Sequence, residues 1–127
     1  EYFLLNFENA IAQKLARAVH QYIWYEAGYE NIEDSNTTDG IGYRKVGRKK
    51  FATLTTQRQR CLILHIGKKE QRLGLKIQEE IDKELGLSFD RKDYELEKYP
   101  HEAYIRLEWV DNIEQIKSFI DLAYQVR

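Results

Sequence analysis

Residues 41–66 read Ile-Gly-Tyr-Arg-Lys-Val-Gly-Arg-Lys-Lys-Phe-Ala-Thr-Leu-Thr-Thr-Gln-Arg-Gln-Arg-Cys-Leu-Ile-Leu-His-Ile. Three short runs of strand-forming residues stand here between turn-forming ones. The first is Ile41 to Val46, ended by Gly47. The second is Phe51 to Thr56, rich in threonine and aromatics. The third is Arg60 to Ile66, apolar almost without a break. Nearly continuous apolar character marks a strand covered on both faces, so the third run is expected at the centre of a sheet. Only residues 47–50 and 57–59 link the three, and links that short predict antiparallel hairpins.

Helical periodicity surrounds this core. In residues 6–27, Phe7, Ile11, Leu15, Ala18 and Tyr22 recur at steps of three and four, which predicts an amphipathic helix. Residues 30–40 are polar and turn-rich and read as a loop. Beyond the strands, Ile77, Ile81 and Leu85 set a narrow stripe on a second helix ending at Gly86. Tyr94 and Leu96 suit an edge strand stopped by Pro100. Residues 102–109 alternate, with Ala103, Ile105, Leu107 and Trp109 on one side, as a half-buried strand does. Asp111-Asn112-Ile113-Glu114 then starts a last helix carrying Ile113, Ile116, Ile120 and Ala123. The expected order is α-β-β-β-α-(β)-β-α. That order gives an α+β fold with an antiparallel or mixed sheet of four to five strands and helices on one face.

A chain of 127 residues is one domain. Its first residue is Glu1 and it lacks methionine, so a domain excised from a longer protein is the expectation. Cys61 is the single cysteine, which excludes an internal disulfide framework and points to a cytoplasmic setting. No apolar run reaches the ~20 residues that span a bilayer, so no membrane partner is expected.

The net charge of −1 conceals a strong segregation. Residues 1–39 carry −5, residues 40–69 carry nine bases and no acid, and residues 70–127 carry −5. Arg44, Lys45, Arg48, Lys49, Lys50, Arg58 and Arg60 lie on the predicted hairpins, with Tyr43 and Phe51 among them. Cations on a sheet neutralise phosphates and aromatics offer stacking surfaces, so these residues, Tyr43 included, form a candidate surface for DNA or RNA. The competing reading is a solvated hairpin whose cations discourage edge-to-edge pairing.

Other constellations are poorer. Cys61 and His65 share a strand face about 13 Å apart, too far for contact. His20 and His101 are isolated, and no metal-ligand spacing occurs, so neither metal nor cofactor is expected. Glu30, Glu33, Asp34 and Asp39 lack the spacing of a calcium loop. Asp90-Arg91-Lys92 spells the D-x-K ending of a restriction-type nuclease motif, with Glu95 close by, but it falls in a turn-like stretch where that chemistry needs a strand. No phosphate-binding loop or nucleophile elbow is present. A self-sufficient enzyme is not expected.

Tyr43, Phe51-Ala52, Gln57, Arg60 through Leu64, Tyr104 through Leu107 and the closing Leu122-Ala123-Tyr124 resemble an uncharacterised bacterial domain, the "predicted transport protein" type. That domain often stands C-terminal to ParB-like and HNH-nuclease modules of modification-dependent restriction proteins. The resemblance covers about two-thirds of the chain. It implies a DNA-restriction context and a nuclease module in the same or a neighbouring chain, and it supplies no catalytic residue. The leading expectation is a non-catalytic accessory domain that binds nucleic acid non-specifically through the basic hairpins. The alternative is a protein-interaction or oligomerisation module, for which a homodimer is expected. A hydrolase built on Asp90, Lys92 and Glu95 comes third.

Overall fold

The computed structural model describes Phe7 and residues 9–37, 40–56 and 61–127, without the side chains of Asp93 and Tyr94. Helix α1 (Ala10–Gln21) continues through a π-helical turn, Tyr22–Glu26. Strands β1 (Ile32–Asn36), β2 (Gly40–Lys45), β3 (Lys50–Thr55) and β4 (Cys61–His65) follow. Helices α2 (Leu73–Leu85) and α3 (Asp93–Lys98) lead to β5 (Glu102–Arg106), and α4 (Lys117–Val126) closes the chain. The five strands form one sheet in the order β1-β2-β3-β4-β5, every neighbouring pair antiparallel. The α+β class and the single antiparallel sheet therefore stand as expected from sequence.

Three elements differ from expectation. Residues 32–36, read as loop, form the edge strand β1. Glu33 and Asp34 are thereby drawn into partnerships with Arg44 and Trp24, while Asp39 lies outside the described residues. The expected edge strand around Tyr94 and Leu96 is instead the short helix α3. Strand β5 stops at Arg106, and Leu107–Trp109 turn into a 3-10 helix.

Pairing register decides what each face carries. Ile41, Tyr43, Leu54, Leu62, Leu64, Ala103 and Ile105 share one face, and all are buried. Ala12, Leu15, Ala16 and Val19 of α1 and Ile120 and Ala123 of α4 complete that core. Asn9 starts α1, its Oδ1 accepting from the N–H groups of Ile11 at 2.8 Å and Ala12 at 3.0 Å. The buried stripe is rotated relative to the sequence reading, leaving Ile11 exposed. A bulge beside Tyr43 inserts Phe51 as an extra residue of β3 and turns it into the core as well, against Tyr29 and Tyr124.

Helix α2 runs beside β5 and covers the edge of the sheet. Gly74 permits the approach, since a Cβ there would collide with the Glu102 backbone. The buried Gln78 then replaces the missing sixth strand. Its Oε1 accepts from the Tyr104 N–H at 2.7 Å and its Nε2 donates to the Tyr104 carbonyl at 2.9 Å. Arg91 fastens the 87–100 segment by donating to the carbonyls of Glu102 and Tyr99, each at 2.8 Å, and of Glu95 at 3.3 Å. Among the described residues, no helix is long and apolar enough to cross a membrane.

Candidate nucleic-acid interface

The β2–β3 turn is built on Gly47. Its φ of +81° is the left-handed value demanded at the third position of a turn closed by Arg48 N–H donating to the Lys45 carbonyl at 2.9 Å. That turn lifts Val46, Arg48, Lys49 and Lys50 into solvent. Among the described residues, no carboxylate pairs with Arg48, Lys49 or Lys50.

The neighbouring cations are engaged. Arg44 Nε lies 2.6 Å from Glu33 Oε1, directly across the β1–β2 pair. Lys45 Nζ sits 4.3 Å over the Tyr124 ring. Tyr43 does not belong to the surface at all. It is fully buried, with its hydroxyl 2.6 Å from His20 Nδ1, and burial together with the Asp34 charge pushes its phenol far up. Phe51 is likewise buried, so neither aromatic is open for base stacking. Arg58 and Arg60 lie outside the described residues.

The basic stretch is also divided by the sheet. Strand β3 separates the 46–49 turn from Thr56 and Cys61, the described residues flanking 57–60, by roughly 17 Å at ~3.3 Å per residue. In exchange, β4 returns the chain to the 46–49 end, because Leu64 pairs with Ala52 and Leu62 with Leu54. The exposed Lys68 and Lys69 leave the sheet from that end. Arg127 joins it through a 3.4 Å bond from its Nε to the His65 carbonyl. One end of the sheet thus gathers Lys45, Arg48, Lys49, Lys50, Lys68, Lys69 and Arg127. The sequence reading grouped 44–60 and left out Lys68 and Lys69. The antiparallel hairpins it predicted already implied this regrouping, because consecutive turns of a meander fall at opposite ends.

The other sequence candidates settle as follows. Cys61 and His65 share the face opposite the helices, and His65 meets Thr53 and Glu102, not Cys61. Asp90, Lys92 and Glu95 line a cavity of about 470 Å³ together with Arg106 and Trp109. The arginine between them, Arg91, is taken up by backbone carbonyls. Among the described residues, no three His, Cys, Asp or Glu side chains converge to hold a metal.

No protein-family model matches the chain, and neither the curated proteins nor the solved structures offer a significant match.

Proposed function

We propose that this domain is a non-catalytic accessory module that binds the phosphate backbone of nucleic acid, without reading bases, through the basic end of its sheet. Arg48, Lys49 and Lys50 make the primary contacts, and Lys45, Lys68 and Lys69 extend the surface. The observation that carries the reading is the position of the turn in the sheet. Strands β2 and β3 are interior strands, with β1 pairing the outer side of β2. The cations of their turn therefore guard no open edge, which removes the bland explanation for them. They are also exposed and unpaired among the described residues, as phosphate-binding cations must be. The resemblance to a domain found beside nuclease modules adds a DNA-restriction context to the same reading.

The test is binding of the 127-residue chain to labelled duplex and single-stranded DNA and RNA at two salt concentrations. Affinity should fall as salt rises, and joint reversal of Arg48, Lys49 and Lys50 to glutamate should remove binding. Affinity indifferent to salt and to the reversal would sink the proposal and transfer the lead to a protein-interaction module.

A further inference from the structure

Lys45 ties the basic turn to the last helix. Its carbonyl closes the turn by accepting from the Arg48 N–H at 2.9 Å. Its side chain leaves β2 on the face of the buried Ile41 and Tyr43, and its Nζ stands 4.3 Å from the centre of the Tyr124 ring of α4. Lys50 goes the other way. Gly42 alternates with Ile41 and Tyr43, and a Cβ there would fall 2.6 Å from Lys50 Cε, so the Lys50 stem lies along the opposite face of the sheet. The cations of the basic end therefore stand on both sides of the sheet, with Arg48 and Lys49 exposed at the turn between them.

The ring beneath Lys45 is held from several directions. Tyr29 stacks on Tyr124 with centroids 3.9 Å apart and planes 7° from parallel, which fills one face and leaves the other to the ammonium. Phe51 meets the Tyr124 ring edge to face at 5.4 Å. The Tyr124 hydroxyl lies 3.3 Å from the Glu30 nitrogen and 3.4 Å from the Glu30 carbonyl oxygen. Tyr29 is itself tied to α4, because its hydroxyl and that of Tyr22 both donate to Asp121 Oδ1. Lys45 thus rests on a fixed platform. A cation over an aromatic face is attracted by the ring quadrupole. The contact uses one side of an ammonium that carries three N–H donors, so donors remain for a phosphate oxygen.

We propose that Tyr124 is a positioning residue for nucleic-acid binding: it holds the Lys45 ammonium in place as a phosphate contact on the helix side of the sheet, opposite Lys50. The inference rests on the phosphate-binding reading above and adds to it a residue that carries no charge. A lysine free in solvent gives up its side-chain freedom when it meets a phosphate, whereas one already seated on a ring has done so beforehand. The gain is about two- to tenfold in affinity, the usual cost of immobilising one long side chain. The competing account is that the lysine–ring contact only packs α4 against β2. The two differ in what Tyr124 does when Lys45 is absent.

The test measures binding of the 127-residue chain to a labelled DNA duplex across a salt series. Lys45→Gln should weaken binding and lower the slope of log affinity against log salt by ~0.9, the value of one phosphate contact. Tyr124→Leu should weaken binding about two- to tenfold with the slope unchanged, because the charge stays and only its placement is lost. Tyr124→Phe keeps the ring and should bind like wild type. With Lys45→Gln already present, Tyr124→Leu should cost nothing further. Wild-type affinity in Tyr124→Leu, or the same loss with Lys45 already replaced, would overturn the proposal and leave the contact as packing. A second measurement needs no variant to fold. The ring face shields what lies over it, so the Lys45 ε-protons of the wild-type chain should resonate upfield of a free lysine and stay there in the complex; unshifted signals would also overturn the proposal. Duplex binding that is lost on reversal of Arg48, Lys49 and Lys50 but ignores Lys45 and Tyr124 keeps the phosphate-binding reading and removes this one. No wild-type binding at low salt removes both.

Discussion

Replacing Gln78 by leucine puts the edge of the sheet to the test. Gln78 is only 4% exposed, and its amide satisfies both the N–H and the carbonyl of Tyr104, a residue with no exposed surface. Leucine has a similar volume, so little cavity is created and the effect isolates hydrogen bonding. Two buried backbone groups would lose their partners, each at about 1–3 kcal/mol, giving a loss of about 2–6 kcal/mol. Because α2 covers β5 at this point, the penalty cannot be relieved by water unless the helix lifts. For a domain of this size, 1 kcal/mol corresponds to about 3–6 °C in Tm, so a drop of roughly 10 °C or more is expected. Gln78→Glu keeps the acceptor for the Tyr104 N–H but sets its other oxygen against the Tyr104 carbonyl and the Asp82 carboxylate, so it too should melt well below wild type near neutral pH. Thermal melts by circular dichroism rank the three, and amide exchange at Tyr104 reports the edge directly. A leucine variant within about 1 kcal/mol of wild type would refute the idea that Gln78 stands in for a strand.

Four other outcomes follow from the same structure. Neutralising Arg48, Lys49 and Lys50 to glutamine should flatten the slope of log affinity against log salt on duplex DNA by about 2.7, at ~0.9 per phosphate contact, whereas Arg44→Gln should change it little because Glu33 already engages Arg44. Arg91→Lys should cost about 2 kcal/mol in a denaturant titration, since an ammonium cannot span the three carbonyls that the guanidinium reaches. Stability should decline with alkaline pH. Burial raises the phenols of Tyr22 (to about 12), Tyr29 and Tyr43, so each keeps its proton in the fold above the ordinary value of about 10 while the unfolded chain loses it. That stability is fully present below about pH 10 and is lost above it, at about 1.4 kcal/mol per pH unit for each phenol, and Tyr43→Phe should make the decline shallower by one such increment. Gly47→Val should destabilise by about 1 kcal/mol or more through the positive φ at the turn, visible as a lower urea midpoint.

The parts legible in the sequence are those where local pattern and tertiary demand agree. Strands β2, β3 and β4 announce themselves through β-branched and aromatic runs that also face the helices. Strand β1 does not, because Ile-Glu-Asp-Ser-Asn has little strand propensity and is held by its pairing with β2, by Arg44 on Glu33 and by Trp24 on Asp34. Helix α3 was hidden for the opposite reason: six residues are too few for a helical period to show. At the candidate interface the cations could be read, since charge is a property of composition. The facing of the aromatics was harder to read: Tyr43 follows Ile41 onto the buried face by strand alternation, and Phe51 turns inward at a bulge that shifts the register by one residue. The meeting of His65 with Thr53 and Glu102 was equally invisible, since the three come from three strands whose alignment only the fold defines.

The division of labour across the sheet argues for a binding role independent of stability. On the helix face, nearly every side chain of β2 to β5 is buried and replaceable only at the cost of core packing. The 46–49 turn asks for nothing but a glycine at 47. A fold that draws no ion pair from the side chains of residues 48–50 among the described residues gains no charge pairing from placing three like charges there, and their mutual repulsion slightly disfavours the compact state. Thirty consecutive residues without an acid, in a chain whose remaining segments are acidic, add to that repulsion. Solubility does not require it, because the rest of the surface is already highly charged. A polyanionic partner would use it, because cations without a carboxylate partner among the described residues carry little reorganisation cost on binding. If that account holds, the glutamine triple variant should melt at or slightly above the wild-type temperature while losing its nucleic acid. A triple variant that instead unfolds would place those cations in the fold and remove the argument for the interface.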